Sequence, residues 1–227
     1  MILNKLKLLL KSSPLIYFTF SKVLGRYKNL MCQKDTELVI EGFPRSANTF
    51  FVDAIKISLE LMHAKPIKIA HHMHSIAQIK FGLKHNIPIV VLVRNPLDAI
   101  SSYVIRNDIS VKSGIEEYIY FYRYIHKVKD RIILAKFEEV IKNYAQIIEM
   151  INRKYDQNYP VLKNDEIEKQ VFNKIEDRDY KKFGQHQEKY AIPSNKKNKI
   201  KENIILSLKE HSKYPKSEEL FQLLIQP

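Results

Sequence analysis

Apolar residues recur along this chain at two spacings, and the passage from one to the other repeats. Glu37–Phe43 is a β-branched, apolar run that predicts a strand. Pro44–Thr49 interrupts it, and Phe50–Met62 then carries apolar residues at helical spacing. Strand, tight loop and helix N-terminus therefore follow one another. Ile87–Val93 is nearly all apolar and suits a strand buried on both faces, and Pro96 suits the first turn of a following helix. Ile67–Ala70 and Ile132–Phe137 are two further strand candidates. Residues 139–155 and 198–211 read as helices. So does Ile115–Lys129, whose Tyr118, Tyr120, Phe121, Tyr122 and Tyr124 make an aromatic stripe for a core or for a pocket wall. Strands alternating with helices predict an α/β fold, a parallel sheet flanked by helices on both faces. Residues 37–227 read as one such domain, and residues 1–36 as a basic, apolar N-terminal helix region. Residues 178–197, basic and polar, read as a flap over the site.

The loop after the first strand is nearly a nucleotide phosphate loop. On the G-x-x-x-x-G-K-[ST] frame, Gly42 takes the first glycine position and Thr49 the final hydroxyl. Ala47 falls where the second glycine belongs and Asn48 where the lysine belongs, while the cation has moved back to Arg45. Backbone N–H groups and the helix dipole still favour an anion at such a junction, but the lysine that reaches the terminal phosphates of ATP is missing. Ala47 carries a Cβ, so its backbone is expected to avoid positive φ. The second strand tip points the same way. It ends in Arg94, where a nucleotide hydrolase often places a magnesium-binding aspartate. A cationic tip suggests a second phosphate held directly by protein. Ser102, eight residues after Arg94, lies about two helical turns on.

At these residues the chain resembles the sulfotransferases that use 3′-phosphoadenosine 5′-phosphosulfate. P-R-S-A-N-T-F (44–50) looks like their P-K-S-G-T-T-W loop. R-N-P-L-D-A-I-S-S-Y (94–103) looks like their 3′-phosphate motif, with its serine eight residues after the arginine. Ala135–Val140 resembles their Y-E-D-L segment beside the nucleotide, and residues 192–197 resemble the P-S-x-x-R segment of bacterial members, with Lys197 for arginine. The resemblance implies a P-loop-type fold, a phosphosulfate donor co-substrate and no required metal. It implies donor contacts at Arg45, Ser46, Ala47, Asn48, Thr49, Phe50, Arg94, Ser102, Phe137 and Lys197. Arg45 would stabilise charge on the bridging oxygen, Thr49 the 5′-phosphate, and Arg94 with Ser102 the 3′-phosphate. Asn48 stands for a threonine, and its amide can still donate a hydrogen bond. Arg178, Lys181 and Lys182 are additional candidates for the 3′-phosphate.

Transfer needs a proton acceptor. His71-His72-Met73-His74 follows the candidate strand Ile67–Ala70, at the strand's C-terminal edge, where open α/β sheets place ligands. An extended backbone would point His72 and His74 one way and His71 the other; His72 is the first choice of base and His74 the second.

Charge narrows the partners without choosing one. A formal charge of +13 over 227 residues asks for an anion: nucleotide donor, acidic glycan, anionic membrane and nucleic acid all qualify, although no recognition helix or RNA-binding signature is visible. The single cysteine, Cys32, rules out an intrachain disulfide and fits a reducing, cytoplasmic setting. The apolar run Leu15–Phe20 is far too short to span a bilayer and no signal-peptide cleavage site follows. With Lys5, Lys7 and Lys11 it can lie on an anionic membrane or pack on the domain. Three functions stand at this point: sulfuryl transfer to a small-molecule, lipid or saccharide hydroxyl or amine; an ATP-dependent small-molecule kinase; and a non-catalytic basic nucleotide- or anion-binding module. The acceptor has no signature.

Overall fold

The computed structural model describes residues 12–23, 27, 29–191 and 195–226, with the side chains of 20–23, 164, 166 and 195–197 outside that set. Four strands, β1 (Leu38–Gly42), β2 (Ile69–His71), β3 (Ile89–Val93) and β4 (Ile133–Lys136), pair in the order β2-β1-β3-β4 among the described residues. Every pairing is parallel, with Ile40 opposite His71 on β2 and Gly42 opposite Leu92 on β3.

Period-2 alternation sorts the strand residues between two cores. Val39, Val91 and Val93 join one, and Leu38, Ile40, Val90 and Leu92 the other. The first core is covered by α1 (Pro14–Val23), α3 (Ile76–Lys84), α4 (Pro96–Asn107), α5 (Val111–Lys127), α8 (Asn195–Glu210) and α9 (Tyr214–Ile225). The second is covered by α2 (Asn48–Leu61), α6 (Phe137–Tyr155) and α7 (Asn164–Phe183). The fold is thus α/β, with a parallel sheet between two helical layers. Phe18 of α1, Met31 and Cys32 are buried in the first core, while Leu15 and Ile16 of α1 are exposed. None of the described helices is long and apolar enough to cross a membrane.

The chain leaves β1 for β2 on one side and returns through α3 to β3 on the other. Strand order therefore reverses between β1 and β3, and in open α/β sheets the crevice beyond the strand ends at such a point is where ligands bind. The two cationic segments sit on its two sides: the loop 43–47 follows β1 and Arg94 follows β3. Gly42 is required here. A Cβ on it would lie 2.7 Å from the Leu92 carbonyl oxygen, inside the β1–β3 pairing.

Elements begin within four residues of their expected places, the largest difference being α5, which starts at Val111 where Ile115 was expected. The helix after the loop starts at Asn48, two residues before Phe50, and Pro96 opens α4 as expected. The flap expected over 178–197 is helical in its first part, because α7 runs on to Phe183. Arg178, Lys181 and Lys182 therefore lie on its last two turns, and only Gly184–Ala191 form a strap. Ile192–Ser194 lie outside the described residues.

Ala47 departs from expectation most directly. It caps α2 in the left-handed region, with φ 69° and ψ 16°, and Arg45 has φ 72°. The loop must reverse between a buried strand and a buried helix within five residues, and that closure outweighs the Cβ penalty of about 1–2 kcal/mol. Ala47→Gly is accordingly expected to raise the unfolding free energy by about 1 kcal/mol in urea denaturation. A loss of stability would show that Ala47 is not strained.

Candidate active site

The loop presents donors first. No side chain caps α2, so the N–H groups of its first turn have no partner inside the helix and face the crevice with the positive end of its dipole. Asn48 does not add to them. Its Nδ2 donates to the Phe43 carbonyl at 3.2 Å and the residue is buried, so the amide closes the loop from within. Ser46 is fully buried beside the Tyr122 hydroxyl. The Phe50 ring packs into the core against Phe172, with centroids 5.4 Å apart. What Ser46, Ala47, Asn48 and Phe50 offer the crevice is backbone.

The two arginines meet. Arg94 Nη1 donates to the Arg45 carbonyl at 2.8 Å, and its guanidinium lies 3.8 Å from the centre of the Phe137 ring. The Arg94 carbonyl in turn accepts from Tyr118 at 2.8 Å. Arg45 Nε donates to Ser102 Oγ at 2.9 Å and Nη2 to the Tyr190 carbonyl at 2.7 Å. Residues 57 apart in sequence are thus joined directly. Burial above all, with repulsion from Arg106 and Arg94 and against the pull of Asp179, lowers the Arg45 guanidinium to about 9. It remains a cation at neutral pH, held by neutral oxygens. Burial also lowers Arg94, against Asp98 and Glu138. Arg94 Nε is buried and has no acceptor among the described residues. Such an orphaned charged donor is costly unless something anionic completes it.

Arg106 gave no signal in the sequence. It donates to Asp179 at 3.0 Å and to the Lys189 carbonyl at 2.7 Å, and stacks over Phe183. Asp179 also accepts from the Ala191 N–H at 2.5 Å. Arg45 and Arg106 together hold the strap against the loop. Arg178 is occupied otherwise, paired with Asp53 at 2.7 Å. Lys197 lies on α8, but its side chain is outside the described residues.

The histidines converge, contrary to the extended-chain expectation, because His72 and His74 both have positive φ, 60° and 47°. Glu41 imposes that turn. It is fully buried on β1 and accepts from the Met73 N–H at 3.0 Å, the His74 N–H at 2.7 Å and Gln78 Nε2 at 3.1 Å. His72 Nε2 lies 2.9 Å from Thr49 Oγ, and its Nδ1 lies 2.6 Å from His71 Nδ1. Thr49, His72 and His71 form one hydrogen-bonded chain that can run in either direction with both rings neutral. His74 Nδ1 lies 2.7 Å from the Gly42 carbonyl. A carbonyl only accepts, so Nδ1 carries the proton and Nε2 is the basic nitrogen of the neutral ring.

Burial, ahead of repulsion from neighbouring cations, lowers His71 to about 4 and His72 to about 3 from an ordinary 6.5. The unfolded chain therefore takes up these protons first. The stability these rings contribute is complete above about pH 6.5 and declines as pH falls toward about 4 and then about 3. The decline is expected at about 1.4 kcal/mol per pH unit for each ring. His72→Gln should remove one ring's share from the slope of urea-derived stability against pH; an unaltered slope would count against the buried neutral ring.

A cleft opens beside the loop. Phe43, Pro44, His74, Ile76, Glu117, Tyr120 and Phe121 line it around a cavity of about 20 Å³. Of the aromatic stripe, Tyr118, Phe121 and Tyr122 are buried in the first core, Tyr120 and Tyr124 pack against it, and Tyr120 and Phe121 also line this cleft. A larger recess of about 240 Å³ lies along β4, between α6 and α9, and includes the strand-tip residues Val93 and Lys136. Among the described residues no group of three or more His, Cys, Asp and Glu could hold a metal ion.

No protein-family model matches the chain. No curated protein matches it in sequence. Among solved structures it is similar to mouse sulfotransferase SULT7A1 complexed with PAP, with 14% identity, 66% of this chain and 67% of that chain covered, and a TM-score of 0.44.

Proposed function

We propose that this chain transfers a sulfuryl group from 3′-phosphoadenosine 5′-phosphosulfate to a hydroxyl or amine acceptor. The observation that carries the reading is the buried Arg94 Nε, without an acceptor among the described residues, beside Arg45 and the N-terminus of α2, at the reversal point of the sheet. Cations on both strand tips match a ligand with phosphates at both ends. Arg94 and the Ser102 hydroxyl, whose hydrogen is not used in the bond from Arg45, hold the 3′-phosphate. The α2 N–H groups and Thr49 hold the 5′-phosphate.

Sulfuryl transfer in line needs positioning and charge stabilisation above all. Arg45 supplies the charge where the bridging oxygen becomes anionic. As the acceptor oxygen or nitrogen bonds to sulfur and the bridging S–O bond breaks, one acceptor proton must leave. His74 is the better base on this geometry: it lines the cleft, and its Nδ1 donates to the Gly42 carbonyl, which leaves the lone pair of the neutral ring on Nε2. His72, pinned between Thr49 and His71, positions the threonine instead. Asn48, at the lysine position, is turned into the loop, which argues against ATP.

Calorimetry tests the reading. The expected result is saturable binding of 3′,5′-adenosine bisphosphate, stronger than that of magnesium ATP by at least about tenfold. Tighter ATP binding would make the chain a kinase candidate, and no response to the bisphosphate would overturn the proposal.

A further inference from the structure

We propose that His71 is a positioning residue for the donor: it fixes the direction of the hydrogen-bonded chain His71–His72–Thr49, so that the Thr49 hydroxyl donates to the 5′-phosphate. The inference deepens the sulfotransferase reading and, as a statement about the donor, rests on it. Thr49 is the second residue of α2 and is half-buried at the helix N-terminus. A threonine hydroxyl carries one hydrogen. His72 Nε2, 2.9 Å from Thr49 Oγ, competes with an anion for it. Where Thr49 donates to His72, its oxygen has only lone pairs left, and these repel a phosphate. Where His72 donates to Thr49, the hydroxyl hydrogen is left for the phosphate. The occupied site therefore needs a proton on His72 Nε2.

That need passes through the ring to its neighbour. Burial keeps His72 neutral, lowered to about 3, so a proton on Nε2 leaves Nδ1 bare. His72 Nδ1 lies 2.6 Å from His71 Nδ1. Two bare nitrogens at that distance repel, so the hydrogen between them belongs to His71. His71 Nδ1 then donates to His72 Nδ1, His72 Nε2 to Thr49 Oγ, and Thr49 Oγ to the phosphate. Every hydrogen along the chain is placed, and both rings stay uncharged. The backbone holds the three groups in line. His71 ends β2 opposite Ile40 of β1, and its N–H donates to the Leu30 carbonyl at 3.0 Å. The left-handed turn at His72, φ 60°, sets the two rings edge to face, with centroids 4.7 Å apart and planes at 79°. What His71 supplies is a tautomer of His72 and not a charge.

The test is a double-mutant cycle read by calorimetry on the full-length protein, with 3′,5′-adenosine bisphosphate and adenosine 3′-monophosphate as ligands. His71→Leu, which removes the hydrogen-bond donor, is expected to weaken bisphosphate binding by about three- to tenfold. His71→Asn, whose amide can donate from the place of Nδ1, is expected to stay within about twofold of the wild type. In a Thr49→Val background His71→Leu is expected to have no further effect. In either background it should leave adenosine 3′-monophosphate, which has no 5′-phosphate, unaffected. A ring that only supports the fold would weaken both ligands, with or without the Thr49 hydroxyl. That pattern overturns the inference, and so does undiminished bisphosphate binding by His71→Leu. Long-range proton–nitrogen NMR of the histidine-labelled wild type decides the matter however the variants fold. With bisphosphate bound, protons on His72 Nε2 and His71 Nδ1 support the inference, and a proton on His72 Nδ1 overturns it while leaving the donor reading intact. If the bisphosphate does not bind the wild type, the donor reading fails by itself. The same spectrum in sodium sulfate then decides the direction of the chain, on the same two outcomes.

Discussion

Replacing Glu41 with alanine is expected to cost about 3–5 kcal/mol of unfolding free energy and to dismantle the histidine turn. The carboxylate is fully buried, on the face of β1 that it shares with Val39 and Phe43. It accepts from two consecutive backbone N–H groups, Met73 and His74, and from Gln78. Gln78 extends the network, since its Oε1 accepts from the Cys32 N–H and its Nε2 also donates to the Leu30 carbonyl. Removing the carboxylate orphans donors that water cannot readily reach, and each such donor costs about 1–3 kcal/mol. Against a typical total of about 5–15 kcal/mol the loss is severe. Glu41→Gln is expected to lose less, because one oxygen remains to accept. Urea denaturation at pH 7.5 gives the number, and a loss below about 1 kcal/mol for alanine would show that Glu41 does not hold this turn. At denaturant concentrations where the variant is folded, transfer should still fall, since the left-handed backbone at His72 and His74 has lost its anchor.

That network marks where the sequence stops being informative. The strand–loop–helix at 38–61 and the strand tip at Arg94 were legible because each is a local change of period with a turn residue at the boundary. Glu41 was not, because a lone acid inside an apolar run acquires its meaning from Gln78 and the 73–74 backbone, more than thirty residues away. Arg106 and Glu117 are of the same kind: on helical periodicity they look like polar-face residues, and only the packing of α4, α5 and α7 turns them inward. The histidine geometry was misread for a related reason. Alternation is a rule for extended backbone, and positive φ at His72 and His74 brings all three rings together. At Ala47 a sound local rule lost to loop closure. Arg45 and Ser102 were each legible as candidate site residues, but the direct hydrogen bond between them, across 57 residues of sequence, was not.

The direct contact between Arg45 and Ser102 sets up the second large effect. Arg45→Ala is expected to slow sulfuryl transfer by about 10²–10³-fold, to the acceptors above or to water, with little change in stability. The stability argument comes from the balance of charges. Alanine removes hydrogen bonds to Ser102 and Tyr190, each worth about 1–3 kcal/mol. It also removes a desolvated cation repelled by Arg106 and Arg94, and the two changes oppose each other. A residue that merely ties down the strap would give the reverse pattern, with lower stability, faster amide exchange over 184–191 and an unaltered chemical step. Arg45→Lys separates charge from shape. Lysine keeps the cation but cannot reach Ser102 Oγ and the Tyr190 carbonyl with one planar fork. It should therefore recover part of the transfer rate without restoring the strap, if the charge acts on the bridging oxygen. If lysine restores nothing while the bisphosphate still binds, the charge of Arg45 is not what drives the transfer step.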